Sequence, residues 1–225
     1  NDITKTYGDA IFDLADPTSV DNTVGFTFAS SNTSVATIGG AGGRTVTITG
    51  AGTTIIIATQ AATANRSQLD VSATLVVLKK TPVITLSNIT KYYGDASFQL
   101  VPSSTNTDVS GVAGGAGGAG AFSFTSSNTS VASILSDSSY VSINGVGSAT
   151  IALYQSGTAN FNDASGSVTV TVNKGTPVLS TFSVNANKTY GSAPFSVLTA
   201  PTSASAGAIT YSSSDTSVAT IDNSG

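Results

Sequence analysis

Three copies of one pattern run through this chain. Lys-Thr-Tyr-Gly-Asp starts at Lys5, returns as Lys-Tyr-Tyr-Gly-Asp at Lys91 and as Lys-Thr-Tyr-Gly-Ser at Lys188. Ser-Asn-Thr-Ser-Val-Ala ends at Ala36 and at Ala132, and Ser-Asp-Thr-Ser-Val-Ala ends at Ala219. Tyr7 and Val35 are 28 positions apart, as are Tyr190 and Val218. Tyr93 and Val131 are 38 apart, and the ten extra residues match a Gly/Ala run from Gly111 through Gly115 to Gly120. A fixed period with one explicable insertion denotes like modules in series.

The apolar positions keep register while the polar ones drift. Phe12, Phe98 and Phe195 each lie five after the motif Tyr, and Ile38, Ile134 and Ile221 each lie three after the motif Val. Phe26 and Phe28 answer to Phe122 and Phe124, and then to Ile209 and Tyr211. Ala73, Leu75 and Val77 answer to Val168, Val170 and Val172. Alternation of this kind is the period-two signature of a half-buried strand. A slip of one residue would turn the whole set outward, so register is strongly specified. Thr, Val, Ile, Phe and Tyr favour strands, and Glu and Met are absent, so almost no helix is predicted.

About seven short strands per copy predict an all-β chain of face-to-face, antiparallel sandwiches arranged end to end. The boundaries predicted are 1–80, with its first strand truncated; 81–176, with the insertion at 111–120; and 177–225, lacking its last strands. Lys79-Lys80-Thr81-Pro82 and Lys174-Gly175-Thr176-Pro177 join them as short, Pro-containing linkers with little slack. Half a sandwich cannot bury its own face, so the third copy is expected to belong to a longer parent chain or to take its missing strands from another chain.

Composition narrows the function. With no His and no Cys, the chain has no imidazole base, no thiolate nucleophile and no disulfide. A net charge of −4 argues against nucleic acid as a partner. No apolar run reaches the roughly 18 residues of a membrane span. Ser and Thr number 35 and 34 of 225 residues, so five Asn-x-Ser/Thr sequons are near what chance supplies. No cofactor or metal is expected. Asp9, Asp13, Asp16 and Asp21 are the densest acidic set, but Asp13, Asp16 and Asp21 have no counterparts in the second copy.

Tyr-Gly-Asp (Tyr7 to Asp9, Tyr93 to Asp95), then Ser-Asn-Thr-Ser-Val-Ala, then a Gly-rich turn and a Thr/Ile strand (Gly50 to Ala58, Gly145 to Leu153) resemble the bacterial Ig-like (BIG-type) repeats. The resemblance covers essentially the whole chain. It implies an immunoglobulin-like sandwich and a structural or adhesive role in a bacterial adhesin, a secreted multidomain protein, or a phage or viral surface fibre. It supplies no catalytic residues and rests on analogy of fold.

Candidate positions follow from the repeat. Tyr7, Tyr93 and Tyr190 read as packing aromatics. Gly8, Gly94 and Gly191 read as turn positions needing positive φ. Val35, Val131 and Val218 read as core. The predicted role is a non-catalytic extracellular spacer that presents a terminal adhesive or anchoring domain. Its partners would be other segments of the parent chain and other copies on a surface. One alternative is an adhesive module binding a host glycan or receptor through the loop at Gly111, Gly115 and Gly120. Another is an accessory repeat of a larger secreted enzyme. That Gly/Ala run lacks the Lys-Ser/Thr ending and following helix of a phosphate loop. Lys5, Lys91 and Lys188 could form Lys–Asn isopeptide bonds only beside an acid, and Asp9 and Asp95 give way to Ser192 in the third copy. Each such bond removes one ammonia, so the intact mass is expected to equal the sequence mass.

Overall fold

The structure is a computed structural model of the 225-residue chain. It describes residues 2–20, 24–109, 120–136, 139–184, 187–196 and 199–222. The chain divides into two compact units, Asn1–Asn173 and Lys174–Gly225. The described residues contain strands and turns and no helix.

The first unit holds two sandwiches. The earlier one comprises β1 (Ile3–Thr6), β2 (Phe12–Asp13), β3 (Phe26–Ser30), β4 (Ala36–Gly39), β5 (Thr45–Ile48), β6 (Gly52–Gln60) and β7 (Leu69–Leu78). One sheet has the order β1-β7-β6-β3 and the facing sheet β2-β5-β4. The later sandwich comprises β8 (Ile84–Thr85), β9 (Ile89–Tyr92), β10 (Phe98–Gln99), β11 (Ser103–Ser104), β12 (Phe122–Ser126), β13 (Ala132–Ile134), β14 (Tyr140–Ile143), β15 (Gly147–Gln155) and β16 (Ala164–Asn173). Its sheets are β12-β15-β16-β9 and β10-β14-β13, with the short pair β11-β8 beside them.

Alternation along the long strands builds each core. On β15, Ala149, Ile151, Leu153 and Gln155 point inward and are almost fully buried, and on β16 so are Val168, Val170 and Val172. Leu100, Val131, Ala132 and Val141 close that core from the facing sheet. In the earlier sandwich, Ile56, Leu75 and Val77 meet Leu14, Val35, Ala36 and Val46. Burying each such aliphatic side chain is worth about 1.5–3 kcal/mol.

Two differences from the sequence reading stand out. The later sandwich carries nine described strands, because Ile89–Tyr92 and Ser103–Ser104 also pair. Nor are the sheets purely antiparallel. β1 runs parallel to β7 (Ile3↔Leu75 to Thr6↔Leu78), and β9 runs parallel to β16 (Val170↔Ile89 to Asn173↔Tyr92). Joining like modules in series makes each module's first and last strands run the same way. Where those strands are neighbours, their pairing must be parallel.

The second unit repeats the turns. Asp215 Oδ1 accepts the Ser217 N–H (2.9 Å) and hydroxyl (2.6 Å), as Asn32 does from Ser34 and Asn128 from Ser130. Val218, by contrast, is 82% exposed, whereas Val35 and Val131 are 4% and 5% exposed. Val131→Ala is therefore expected to destabilise the chain by about 1–3 kcal/mol. Val218→Ala is expected to stay within about 0.5 kcal/mol. Urea denaturation of both variants checks the contrast.

Candidate functional site

The most elaborate polar construction in the first unit is the joint between its two sandwiches. β7 ends at Leu78 and β8 starts at Ile84. The linker between them is paired rather than free. Lys80 forms a parallel bridge with Phe161 of the loop between β15 and β16. The Lys80 N–H donates to the Asn160 carbonyl (3.0 Å), and the Asn162 N–H donates to the Lys80 carbonyl (2.9 Å). The Lys79 ammonium donates to the Thr158 carbonyl (2.6 Å), and Asn162 Nδ2 donates to Thr81 Oγ1 (3.1 Å). Each such bond contributes about 0.5–1.5 kcal/mol net, more where a charge takes part.

The loop is shaped before it docks. Thr158 N–H donates to the Phe161 carbonyl (2.9 Å), and Phe161 N–H donates back to Thr158 Oγ1 (3.2 Å). Asp108 holds this turn from outside. Its carboxylate accepts the Thr158 hydroxyl (2.6 Å), the Asn160 N–H (2.9 Å) and Asn160 Nδ2 (2.9 Å). Fixing Nδ2 on Asp108 aims Asn160 Oδ1 the other way. There it accepts the Ala51 N–H of the earlier sandwich (2.8 Å). Phe161, 2% exposed, packs edge-on against Tyr7 with ring centroids 5.5 Å apart.

Gly50 permits the approach. A Cβ there would lie 2.5 Å from the Ser34 carbonyl oxygen and 3.3 Å from Asn160 Oδ1. Desolvation alone would raise the Asp108 carboxyl. The hydrogen bonds from Thr158 and Asn160, with the Lys79 charge, outweigh it and hold the group below the ordinary aspartate value.

The predicted repeat positions fall in three places. Tyr7 lies in the joint, Tyr93 is 57% exposed and Tyr190 is fully exposed. Gly8, Gly94 and Gly191 have φ of +87°, +98° and +87°. Lys5, Lys91 and Lys188 each hold the ammonium 4.8, 5.0 and 4.7 Å above the rings of Phe12, Phe98 and Phe195. Gly111 and Gly115 lie outside the described residues. Gly120 is described, and its carbonyl accepts Gln155 Nε2 (3.0 Å). The acidic set is dispersed. Asp9 accepts the Thr6 N–H, Asp13 accepts the Thr45 hydroxyl, Asp16 pairs with Arg44, and Asp21 lies outside the described residues. Among the described residues no three acidic side chains converge on a metal position. An open groove at Thr85, Leu86, Asn88, Ile89, Gln99 and Val101 has no charged side chain in its lining.

The motif reading passed over Asp108, Thr158, Asn160 and Phe161. One signal was present: Thr63-Ala64-Asn65 and Thr158-Ala159-Asn160 lie 95 positions apart, the same offset as the two linkers. It also passed over Gln60 and Gln155, buried glutamines at matching ends of β6 and β15. Gln60 accepts the Ser19 hydroxyl and donates to the Val24 carbonyl, and Gln155 does the same with Ser104 and Gly120.

Because the folded Asp108 value is depressed, its contribution is complete above the unfolded value near 3.8 and is lost as pH falls through the folded one. The gap in urea midpoint between the chain and its Asp108→Asn variant is therefore expected to be widest near neutrality and to shrink below about pH 4. A gap independent of pH would remove Asp108 from the joint's energetics.

Residues 113–158 match the family model described as intimin, immunoglobulin-like domain. No curated protein matches the chain. Among solved structures, surface layer protein SbsC domains 1-6 is 20% identical, covering 72% of this chain and 21% of that one, with a TM-score of 0.33. Titin domains z1z2 in complex with telethonin are 15% identical over 78% of this chain and 93% of that one, with a TM-score of 0.33. Human protocadherin-24 EC1-2 is 12% identical over 76% and 93%, with a TM-score of 0.29. The family match spans the strands from β12 to β15 and reaches Thr158 in the joint loop, so the similarity to the intimin immunoglobulin-like domain lies in the later sandwich.

Proposed function

We propose that this chain is a non-catalytic spacer segment of a bacterial cell-surface protein. Its repeats are 1–80, 81–176 and 177–225, and it holds a terminal adhesive or anchoring domain away from the surface. The observation that carries this reading is the locked linker at Lys79, Lys80 and Thr81. A spacer transmits position and force only if its joints resist bending. Here the joint is bridged in backbone, side-chain and aromatic contacts at once.

Strand order supports the same role. β1 and β7, the first and last strands of the earlier sandwich, pair in parallel, and in the later sandwich β9, the second strand, pairs in parallel with the last strand β16. The Tyr7 N–H extends the first pairing to the Leu78 carbonyl, and the Tyr93 N–H extends the second to the Asn173 carbonyl, both at 2.8 Å. Tension applied at the two ends of a sandwich loads such a ladder along its length. All its bonds then share the force instead of parting one by one. A bacterial surface location is supported by the match of residues 113–158 to the intimin immunoglobulin-like model.

Small-angle scattering of the full chain tests the proposal. A compact domain of this length has a radius of gyration of about 17 Å. A spacer built of modules adding on the order of 30–40 Å each is expected to exceed that value clearly. A radius near the compact figure would defeat the spacer reading.

A further inference from the structure

The chain holds a single Asn-Gly pair, Asn144-Gly145, in the crossover from β14 to β15. The turn dictates both residues. A Cβ on Gly145 would meet the Ser130 carbonyl oxygen at 2.6 Å, so only glycine fits. The matching place in the earlier sandwich, before Gly50, carries Thr49, whose hydroxyl donates to the Thr33 carbonyl (2.8 Å). Asn144 makes the equivalent bond and two more. Its Nδ2 donates to the Thr129 carbonyl and to Ser133 Oγ, both at 2.8 Å, and its Oδ1 accepts the Ser142 hydroxyl (3.1 Å). The Asn144 and Gly145 N–H groups both donate to the Val131 carbonyl, at 2.9 and 3.2 Å. Asparagine is a thermolabile residue, and a following glycine puts no side chain in the way of attack on its carboxamide by the next backbone nitrogen.

We propose that Asn144-Gly145 is a deamidation site that the folded later sandwich holds shut and that unfolding opens. In the opened chain the Gly145 nitrogen attacks Asn144 Cγ and gives up its proton. The Cγ–Nδ2 bond breaks, and Nδ2 leaves with that proton as ammonia. Water then opens the cyclic imide at either carbonyl, which yields aspartate or isoaspartate. The step needs water alone. In the fold, both Nδ2 hydrogens and the Gly145 N–H are engaged, and Cγ cannot swing onto the nitrogen without breaking those bonds. The Ser142 hydroxyl polarises the carboxamide, which achieves nothing while the nucleophile is withheld. Either product undoes the clamp. Aspartate sets an oxygen where Nδ2 met the Thr129 carbonyl, an acceptor against an acceptor. Isoaspartate also adds a carbon to the main chain, in a turn that has no space for a Cβ. A modified sandwich therefore refolds to a less stable state, and the change records time spent unfolded. This chemistry does not rest on the spacer reading.

Peptide mapping of the full chain by mass spectrometry tests it. The chain is held at mildly alkaline pH in native buffer and, in parallel, in urea beyond its unfolding midpoint. In urea, Asn144 is expected to convert faster than every other Asn. In native buffer its conversion is expected to be slower by about a hundredfold or more, because it must wait for the turn to open. Equal rates under the two conditions, or a different Asn leading in urea, overturn the proposal. Refolding supplies a second reading. Chains converted at Asn144 are expected to show a lower urea midpoint than unconverted ones. An Asn144→Thr variant, which takes the residue found at Thr49, is expected to return to its own starting midpoint after the same incubation. An unchanged midpoint in converted chains, or an equal loss in the variant, overturns the link between this site and refolding and ends the proposal.

Discussion

Everything in the first unit depends on keeping one side of each long strand apolar. Ile56, Leu75 and Val77 in one sandwich, and Ile151, Leu153, Val168, Val170 and Val172 in the other, occupy alternate places on adjacent strands. The pleat sends them all to one face, and a facing sheet removes that face from water. The turns serve this register. Gly50 and Gly145 have no Cβ, so the chain can close onto the Ser34 and Ser130 carbonyls, which places Val35 and Val131 in the core. At the far ends of β6 and β15, Gln60 and Gln155 satisfy loop carbonyls that would otherwise be buried without partners.

The same register makes modules that can be joined. Parallel pairing of β1 with β7, and of β9 with β16, sets an early strand of each sandwich in one ladder with its last. The chain leaves β7 directly into the reach of the next sandwich's loop. That loop is held in shape by Asp108 and Thr158, so it meets the linker with little further ordering to lose. A Pro-containing linker by itself would limit bending. The Asn160 and Phe161 contacts add a specific angle, because they tie the loop to Ala51 and Tyr7 and not to the linker alone. Rigidity thus comes from side chains on either side of the boundary, and neither sandwich contains the joint by itself.

Much of the fold was legible in the residues. The recurrence of Phe12 at Phe98, of Ile38 at Ile134 and of Leu75 at Val170 marks a buried face, since burial tolerates little drift. Asn32, Asn128 and Asp215 show the same economy, because either side chain closes an Asx-turn. The joint was not legible. Asp108 lies 50 and 52 positions from Thr158 and Asn160, and Asn160 lies 109 from Ala51. No local pattern ties residues so far apart. The short strands Ile89–Tyr92 and Ser103–Ser104 were missed for a similar reason, being defined by their partners more than by their own alternation.

What the amino acids settle alone is periodic and local: the module length, the inward positions and the turns, each dictated by side-chain period or by backbone freedom at single residues. What tertiary structure decided is which surfaces meet. Parallel pairing of outer strands, the Lys80–Phe161 bridge and the Asp108–Asn160 clamp arise only when distant segments are brought within hydrogen-bond reach, because their energies depend on distance and angle.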